Sequence, residues 1–514
     1  MQFNLPSNHG LSQDVQKDPD LLWRAQDGSP SLTDVQHAAL AAGVARGTSL
    51  LVVAPTSTGK THIGLWALMG WLFSDQPRHA VYLVTHRALA RQKFEELTKL
   101  LCARHFQGDK GSIALATGDT VEDAEGHTPT QPLEVPVLVA TYEKYLALVS
   151  GAGIREDMSQ SLIICDEIQI LGDESRGRNI EILLTLMKKA RWGQLVGLSA
   201  VLDPSDAKHL SDWLGVKLIH LSSREKHLHY ECRTPTRLLS FRTDAPDAGI
   251  QDQERPASAP DDLPAIIAQV LRQPHHLPAI VFCTSKKRVY ETTGAYARSR
   301  RLTVSPTQSL LPGLRDSTAA ARELSCYIPE GFAFHTADLL DAERRLVEEK
   351  IASKDIQLVF ATSTLAAGVN FPFKTAIFDR WKRWNDRTKT HEPLPPSEFQ
   401  NMAGRVGRMG TTGTHGSVLL TSTDGFADKK SIRIYLQPDQ TNPLTPRITP
   451  QAFHQLSLQL VSSGMCETQE ELEALLLSSF SATREQESNQ TGLAHWTAQL
   501  NKSTAALRNW GFIL

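Results

Sequence analysis

Short apolar runs alternate with helical stretches in two separate parts of the chain. The runs of the first part are SLLVVA (49–54), AVYLVT (80–85), VPVLVAT (135–141), SLIICDE (161–167) and LVGLSA (195–200). Those of the second part are AIVFCTS (279–285), GFAFHT (331–336), IQLVFATS (356–363), TAIFD (375–379) and GSVLLTS (416–422). Continuous apolar strands separated by helices are typical of parallel sheets covered on both faces. The pattern predicts two α/β domains.

The composition of the remaining segments predicts a linker between the two domains and a helical C-terminal region. Residues 222–262 are polar and rich in Pro and Asp, and we expect a linker or exposed insertion there. Its stretch HLHYEC has no fourth metal ligand at a suitable spacing, so we do not expect zinc. After about residue 425 three helical patterns follow, one with a capping box of Thr468 and Glu471. The predicted domains are a segment 1–30, α/β domains 31–221 and 263–425, the linker 222–262, and a winged-helix-like region 426–514.

Composition limits the kinds of partner. The formal net charge is -2 and the pI is about 6.8, so a nucleic acid would need local basic surfaces. Six cysteines without a C-x-x-C pair indicate neither a disulfide framework nor an iron–sulfur cluster. No signal pattern or bilayer-length apolar run is present, and we expect a cytoplasmic protein with no membrane contact. Because the wing of a winged helix would lie beyond Leu514, the chain is a candidate fragment.

The residues APTSTGKT (54–61) join the first apolar run to a helix. Small residues there let backbone N–H groups converge on a phosphate at a helix N-terminus. Lys60 would reach the β- and γ-phosphates, and the hydroxyl of Thr61 would bind Mg²⁺. Ala54 stands where the usual motif has Gly, so an ordinary strand-to-helix turn is the alternative and a second signal is needed.

That second signal is the acidic pair Asp166 and Glu167 at the end of the run SLIICDE. A nucleotide hydrolase needs one carboxylate on Mg²⁺ and another that orients or deprotonates the attacking water. Beside a phosphate loop, the carboxyl end of a parallel strand is the expected place for such a pair. We therefore assign Asp166 to the metal and Glu167 to the water.

A third signal lies in SEFQNMAGRVGRMG (397–410). Ser397 and Gln400 predict a capping box after two prolines, and hence a helix that carries Arg405 and Arg408 on one face. Two arginines flanked by glycines suit the recognition of a phosphate chain from an opposite domain. A plain surface pair of arginines is the alternative reading of this motif alone.

Together these residues resemble the superfamily 2 DExH-box helicases, in the Ski-like group that includes the archaeal repair helicases. The resemblance runs from about Leu32 to the end, with the motifs in the family's order. They are LTDVQ (32–36), APTSTGKT, THRALARQ (85–92), TGD (117–119), ATYEKY (140–145), DEIQ (166–169), LSAV (198–201), VFCTSKKRV (281–289), ATSTLAAGVNFP (361–372) and NMAGRVGR (401–408).

The resemblance implies two RecA-like domains that face each other with ATP and Mg²⁺ between them. The implied catalytic residues are Glu167, Arg405, Arg408 and Gln169. The implied ATP contacts are Gln36, which reads adenine, Thr56, Ser57, Thr58, Gly59, Lys60, Thr61 and Gly368, with Thr61 and Asp166 on the metal. Single-stranded nucleic acid would contact Arg87, Thr117, Thr141 and Thr362 at strand ends.

The sequence departs from the family in several places. Gln169 replaces the usual His, and its amide can still hydrogen-bond to a neighbouring motif. SAV replaces Ser-Ala-Thr, FHTAD replaces a double-His motif, and Asn401 stands where Gln is commoner. None of these changes removes Lys60, Asp166 or Glu167, so we expect an active ATPase.

The stretch DRWKRWNDRTKTHEPLPP (379–396) precedes the arginine motif. In the related repair helicases this interval forms a β-hairpin that splits the duplex. Trp381 and Trp384 would stack on bases, and Arg383 with neighbouring cations would hold phosphates. The alternative is an exposed basic loop whose two tryptophans pack inward.

The resemblance implies an ATP-dependent translocase or helicase that moves 3′ to 5′ on single-stranded or tailed nucleic acid, with DNA favoured, in repair or in defence against foreign DNA. One alternative is an RNA helicase. Another is an ATP-switched sensor or scaffold that recruits a protein partner such as a nuclease.

Overall fold

In the computed structural model the chain divides into two units, Met1–Ser223 with Pro443–Leu514, and Arg224–Asn442. The structure describes residues 3–25, 27–55, 58–72, 78–103, 105–118, 120–152, 157–200, 202–221, 227–234, 236–256, 263–305, 307–314, 318–362, 373–385, 388–406, 415–421, 435–436, 443–488 and 492–513.

The first unit is built around one sheet. Its strands are β1 (Leu50–Val53), β2 (His79–Val84), β3 (Ile113–Thr117), β4 (Thr120–Asp123), β5 (Val137–Thr141), β6 (Ser161–Asp166), β7 (Gln194–Ser199) and β8 (Lys217–His220). Their order is β4-β3-β5-β2-β6-β7-β1-β8, and all neighbours are parallel except β3 and β4. Strands β1, β5 and β7 are buried along their whole length, as continuous apolar runs predict.

Helices flank this sheet and supply the rest of the buried core of the first unit. They are α1 (Gln13–Lys17), α2 (Asp34–Ala42), α3 (Lys60–Leu72), α4 (Arg87–Leu101), α5 (Tyr142–Ala152), α6 (Gly177–Lys189) and α7 (Pro204–Leu214). Short 3-10 helices lie at Val44–Arg46, Pro132–Glu134 and Ile168–Gly172.

The second unit has a similar sheet. Its strands are β9 (His227–Arg233), β10 (Arg237–Arg242), β11 (Gln251–Glu254), β12 (Ala279–Phe282), β13 (Phe332–His335), β14 (Leu358–Ala361), β15 (Thr375–Phe378) and β18 (His415–Thr421). Between β15 and β18 in the chain, the strands β16 (Lys382–Asn385) and β17 (Thr390–Pro393) form a separate two-stranded hairpin. The sheet order is β11-β10-β9-β18-β15-β12-β14-β13.

The helices of the second unit are α8 (Leu263–Leu271), α9 (Lys286–Ser299), α10 (Ala319–Tyr327), α11 (Asp341–Ala352) and α12 (Pro396–Ala403). Its 3-10 helices are Pro246–Ala248, Pro274–His276 and Ile328–Glu330. In each unit a mostly parallel sheet with flanking helices confirms the predicted tandem RecA-like fold, although β9–β10–β11 at the edge of the second sheet are antiparallel.

The interpretation of residues 222–262 as a linker is wrong for the part that the structure describes. Strands β9, β10 and β11 extend the second sheet, and β9 pairs in parallel with β18. In β9 the buried Leu228, Tyr230 and Cys232 alternate with half-buried residues, which include His227 and His229. This alternation is the signature of a half-buried strand and was available in the sequence.

The C-terminal residues belong to the first unit. They form a 3-10 helix at Pro450–Ala452 and helices α13 (Phe453–Ser462), α14 (Gln469–Leu477), α15 (Phe480–Ser488) and α16 (Ala494–Asn509), and the capping box of Thr468 and Glu471 is confirmed. In residues 443–488 and 492–513 the structure has helices and no strand, so a winged helix stays a prediction.

Across the described part of the chain, no helix combines the length and the apolar character that crossing a membrane requires.

Candidate nucleotide-binding site

The phosphate loop connects β1 to α3, as predicted. Lys60 is the first residue of α3, and its ammonium donates to the carbonyls of Ala54 at 2.6 Å and Pro55 at 2.8 Å. The hydroxyl of Thr58 also donates to Pro55 O, at 2.8 Å, so two side chains close the loop on itself. Thr61 lies half-buried in the first turn of α3. Thr56 and Ser57 lie outside the described residues.

Gln36 hydrogen-bonds to this loop from the start of α2. It completes a capping box with Thr33 at the start of α2, and its amide nitrogen donates to Gly59 O at 3.3 Å. Gly59 has a φ of 82°, and a Cβ there would lie 2.2 Å from the Gln36 amide nitrogen. Only glycine fits this backbone and this approach. The adenine contact predicted for Gln36 stays a prediction, and its observed role is to hold the loop.

The acidic pair lies at the end of β6. Burial and, after it, the negative charge of Glu167 raise the pKa of Asp166, the cations of Lys93 and Lys60 act in the opposite direction, and the net pKa is about 6. Lys93 is a buried residue of α4 that pairs with Glu96 at 2.6 Å, and no motif in the sequence indicates it. The acid therefore lies within the field of two lysines.

Glu167 has a left-handed backbone with a φ of 54°. Such a conformation is uncommon for a residue with a side chain and is concentrated at functional sites. The residue immediately precedes the 3-10 helix Ile168–Gly172, which contains Gln169. The turn therefore brings the side chains of positions 167 and 169 together.

Gln169 of the motif DEIQ hydrogen-bonds to the motif LSAV, the kind of contact that we expect from its amide. Its nitrogen donates to the carboxylate of Glu167, and its oxygen accepts the hydroxyl of Ser199 at 2.7 Å. Ser199 ends β7, which lies between β6 and β1, and its carbonyl accepts the N–H of Ala54 at 3.1 Å. A continuous path of hydrogen bonds thus links the acidic pair to the strand that carries the phosphate loop.

The predicted nucleic-acid residues of the first unit lie at strand and helix ends. Arg87 is exposed at the start of α4, and its guanidinium contacts Gly118, where a Cβ would lie 2.5 Å from the guanidinium carbon. Thr117 and Thr141 end β3 and β5, and in the second unit Thr362 follows β14. Arg87 is the charged member of this group and it is exposed, and its contact with phosphate stays a prediction.

Arg176 joins this edge of the first sheet without any signal in the sequence. Its guanidinium pairs with Glu143 at 2.5 Å and donates to Thr85 O at 2.6 Å. Together with burial, its charge lowers the pKa of His86, the residue before Arg87. The contacts span 33 and 91 residues of sequence, which no local pattern reveals.

The arginine motif of the second unit differs from its prediction. Helix α12 begins at Pro396 and ends at Ala403, so Arg405 lies beyond the helix rather than on it. The capping box of Ser397 and Gln400 is wrong, because the Gln400 amide bonds to two tyrosines instead. Arg408 and Gly368 lie outside the described residues.

The hairpin predicted within residues 379–396 is present as β16 and β17. Trp381 is buried in the core of the second unit, so the base contact predicted for it is wrong. Trp384 is half exposed and contacts the ring of His391, with centroids 5.3 Å apart. Arg383 pairs with Glu398. The hairpin thus presents one tryptophan rather than two.

Comparison with known proteins agrees with this geometry. Residues 33–210 match the DEAD/DEAH box helicase family. The ATP-dependent DNA helicase Hel308 of Aeropyrum pernix is 31% identical over 393 residues, covering 74% of this chain and 49% of the relative. The proteins of the same name from Methanocella arvoryzae and Thermoplasma volcanium are 26% and 25% identical, covering 88% and 91% of this chain and 60% and 63% of their own lengths.

Two RecA-like units, a phosphate loop and an acidic pair linked to the next motif define a superfamily 2 helicase. Within that superfamily the chain is similar to the ATP-dependent DNA helicases named Hel308. The chain spans about half to two thirds of the length of these relatives.

Proposed function

We propose that this protein is an ATP-dependent DNA translocase and helicase that moves 3′ to 5′ and separates strands in DNA repair or in defence against foreign DNA. The observation that carries the proposal is the hydrogen-bonded path from Glu167 through Gln169 and Ser199 to the phosphate-loop strand. This path connects a general base to the loop that holds the phosphates. The names of the relatives, ATP-dependent DNA helicases, favour DNA as the substrate.

The site residues suit ATP with Mg²⁺. Hard oxygen donors are the ligands that Mg²⁺ takes, and Asp166 and Thr61 supply a carboxylate and a hydroxyl. Bound there, the ion would neutralise charge on the phosphates. Lys60 adds a second positive charge from the start of α3. Glu167 orients or deprotonates the attacking water, and the bond from Gln169 holds its carboxylate in place.

ATPase activity measured against equal lengths of single-stranded DNA and RNA tests the proposal. We expect DNA to stimulate hydrolysis, and Lys60→Ala to lower turnover by about 10²-fold or more. Lys208→Ala is the control, because Lys208 is exposed on α7 and pairs only at the surface with Asp212. Stimulation by RNA alone would favour an RNA helicase, and no stimulation by either would contradict the proposal.

Strand separation is tested with a duplex that carries a 3′ tail. The exposed Trp384 of the hairpin suits stacking on a base, worth about 1–3 kcal/mol. We expect Trp384→Ala to lower unwinding by at least about tenfold more than it lowers ATPase activity. Trp23→Ala is the matched control, since Trp23 is similarly exposed in the first unit. ATP hydrolysis without unwinding in the wild type would favour the sensor or scaffold that recruits a nuclease or another partner.

A further inference from the structure

The hairpin has two different faces. Successive residues of a strand point to opposite sides, so Arg383 and Trp384 lie on opposite faces of β16. Trp384 pairs across the hairpin with His391, and this face carries the exposed aromatic ring. On the other face, Arg383 donates to both carboxylate oxygens of Glu398 on α12, at 3.0 Å and 2.8 Å. One face is therefore anchored while the other presents the tryptophan.

The base of the hairpin is fixed to the same helix. The N–H of Leu394 donates to Trp381 O at 2.8 Å, and Leu394 O accepts the hydroxyl of the buried Tyr435 at 2.6 Å. The Tyr435 carbonyl in turn accepts the amide of Gln400 on α12, at 2.9 Å, and its ring contacts Phe399. These bonds hold the base of the hairpin and α12 in one core.

Only two residues, Leu394 and Pro395, separate the hairpin from the helix. Pro395 follows Leu394, and Pro396 is the first residue of α12. Proline fixes its own φ and restricts the residue before it, so this connection has little freedom to bend. Arg405 follows the end of the same helix by two residues. A short, stiff helix thus links the hairpin to the arginine motif.

We propose that Arg383 is a positioning residue that ties the hairpin to α12, so that the exposed face of the hairpin moves with the arginine motif. The functional part of this inference rests on the proposed helicase function. It replaces the phosphate contact predicted for Arg383, because Nη1 of Arg383 donates to both carboxylate oxygens of Glu398, and this ion pair offsets the charge of the guanidinium. The bonds at the base of the hairpin keep it from shifting along α12. The ion pair keeps the hairpin strands from tilting away from α12.

Charge reversal tests the pair. The variants are Arg383→Glu, Glu398→Arg and the two changes together, which restore an ion pair in the opposite sense. The control applies the same three changes to Arg300 and Glu330, a pair of the second unit that is similarly exposed and has no contact with the hairpin. Two quantities are measured, hydrogen exchange of the amides in 382–393 and base pairs unwound per ATP hydrolysed.

We expect each single reversal to speed hairpin exchange by about two- to fivefold, the scale of an exposed ion pair, and the double reversal to restore it. Unwinding per ATP should fall in the single variants and recover in the double variant, while stimulated ATPase stays within about twofold. The control set should change neither quantity.

The outcomes separate the tether from the helicase function. Unchanged exchange in the single variants would overturn the tether, whether or not the protein unwinds DNA. Loss of unwinding in Arg383→Glu that the double reversal does not restore, with Glu398→Arg unaffected, would show that Arg383 contacts phosphate instead. A third outcome is that hydrogen exchange in the variants follows the expected pattern but the wild-type protein does not unwind DNA. That outcome would support the tether and contradict the helicase function.

Discussion

Two carboxylates of the first unit differ in their surroundings, the half-buried Asp166 at the end of β6 and the fully buried Glu181 in α6. Burial raises the pKa of both, that of Asp166 to about 6 and that of Glu181 to about 7. Asp166 lies near the lysines at positions 60 and 93, whereas Glu181 accepts the N–H and the hydroxyl of Ser481 at 2.6 Å and 2.8 Å. A raised pKa is therefore common to both acids, and the neighbouring groups distinguish them.

The surroundings of Glu181 explain why the C-terminal helices belong to the first unit. Ser481 lies in the first turn of α15, where helix N–H groups need partners from outside the helix. The same hydroxyl also accepts the N–H of Ile448 at 3.1 Å. Nearby, Arg447 donates to the carbonyl of Gly172, the last residue of the 3-10 helix that contains Gln169. Glu181 thus serves as an anchor, whereas Asp166 suits a metal ion.

The largest effect should come from the acidic pair. Glu167→Gln keeps the shape of the side chain and removes the base, so ATP turnover should fall by about 10²–10⁴-fold while ATP binding remains. Glu181→Gln is the matched control, and its turnover should stay within about twofold because the anchor touches no phosphate. Steady-state ATPase and nucleotide-binding titrations measure both. Turnover at the wild-type rate in Glu167→Gln would show that the acidic pair is wrongly assigned.

The second effect is a dependence of stability on pH. Because the pKa of Glu181 is higher in the fold than the ordinary value of 4.5, the folded chain holds the proton more tightly, and stability is lost as pH rises through about 7. Between pH 5.5 and 7.5 this group alone should lower the free energy of unfolding of the first unit by about 2 kcal/mol. Denaturant unfolding at several pH values measures the change.

Glu181→Gln removes the titrating group while an amide can still accept the N–H of Ser481. The variant should therefore lose this part of the pH dependence. As pH rises, its free energy of unfolding should increase relative to that of the wild type. Equal slopes in the two proteins would mean that Glu181 does not titrate in this range. The anchor would then be ionised throughout.

The contrast also shows what local sequence can and cannot predict. The phosphate loop, the acidic pair and the apolar strands are contiguous patterns, so residues 54–61 and 161–167 were sufficient to place them. The partners of Glu181 and Arg176 lie 300 and 91 residues away, and only the folded chain brings them together. Strand β11 was hidden for another reason, since its polar residues QDQE contain no apolar alternation.

A smaller effect should follow from the bridge between the two motifs. Gln169→Ala removes the bonds to Glu167 and Ser199, and an ordinary hydrogen bond is worth about 1 kcal/mol, so turnover should fall by about five- to tenfold. Ser199→Ala removes only the second bond and should cost less. Gln169→His, the residue usual in the family, should retain most of the turnover. Equal loss in the alanine and histidine variants would mean that the bridge does not position Glu167.

The smallest effect compares one local motif in the two regions. Thr33 with Gln36 and Thr468 with Glu471 form the same capping box, the first against the phosphate loop and the second exposed on α14. Loss of an N-cap costs about 1 kcal/mol of stability, so Thr33→Ala and Thr468→Ala should both lower thermal stability, and Thr33→Ala should lower it more because it also leaves the buried carbonyl of Thr58 without this donor. Only the change at position 33 should also raise the KM for ATP, because Thr33 donates to Thr58 O at 2.7 Å within the loop. A KM that rises equally in both variants would mean that the effect reflects general loss of stability, and that the cap of α2 does not shape the phosphate loop.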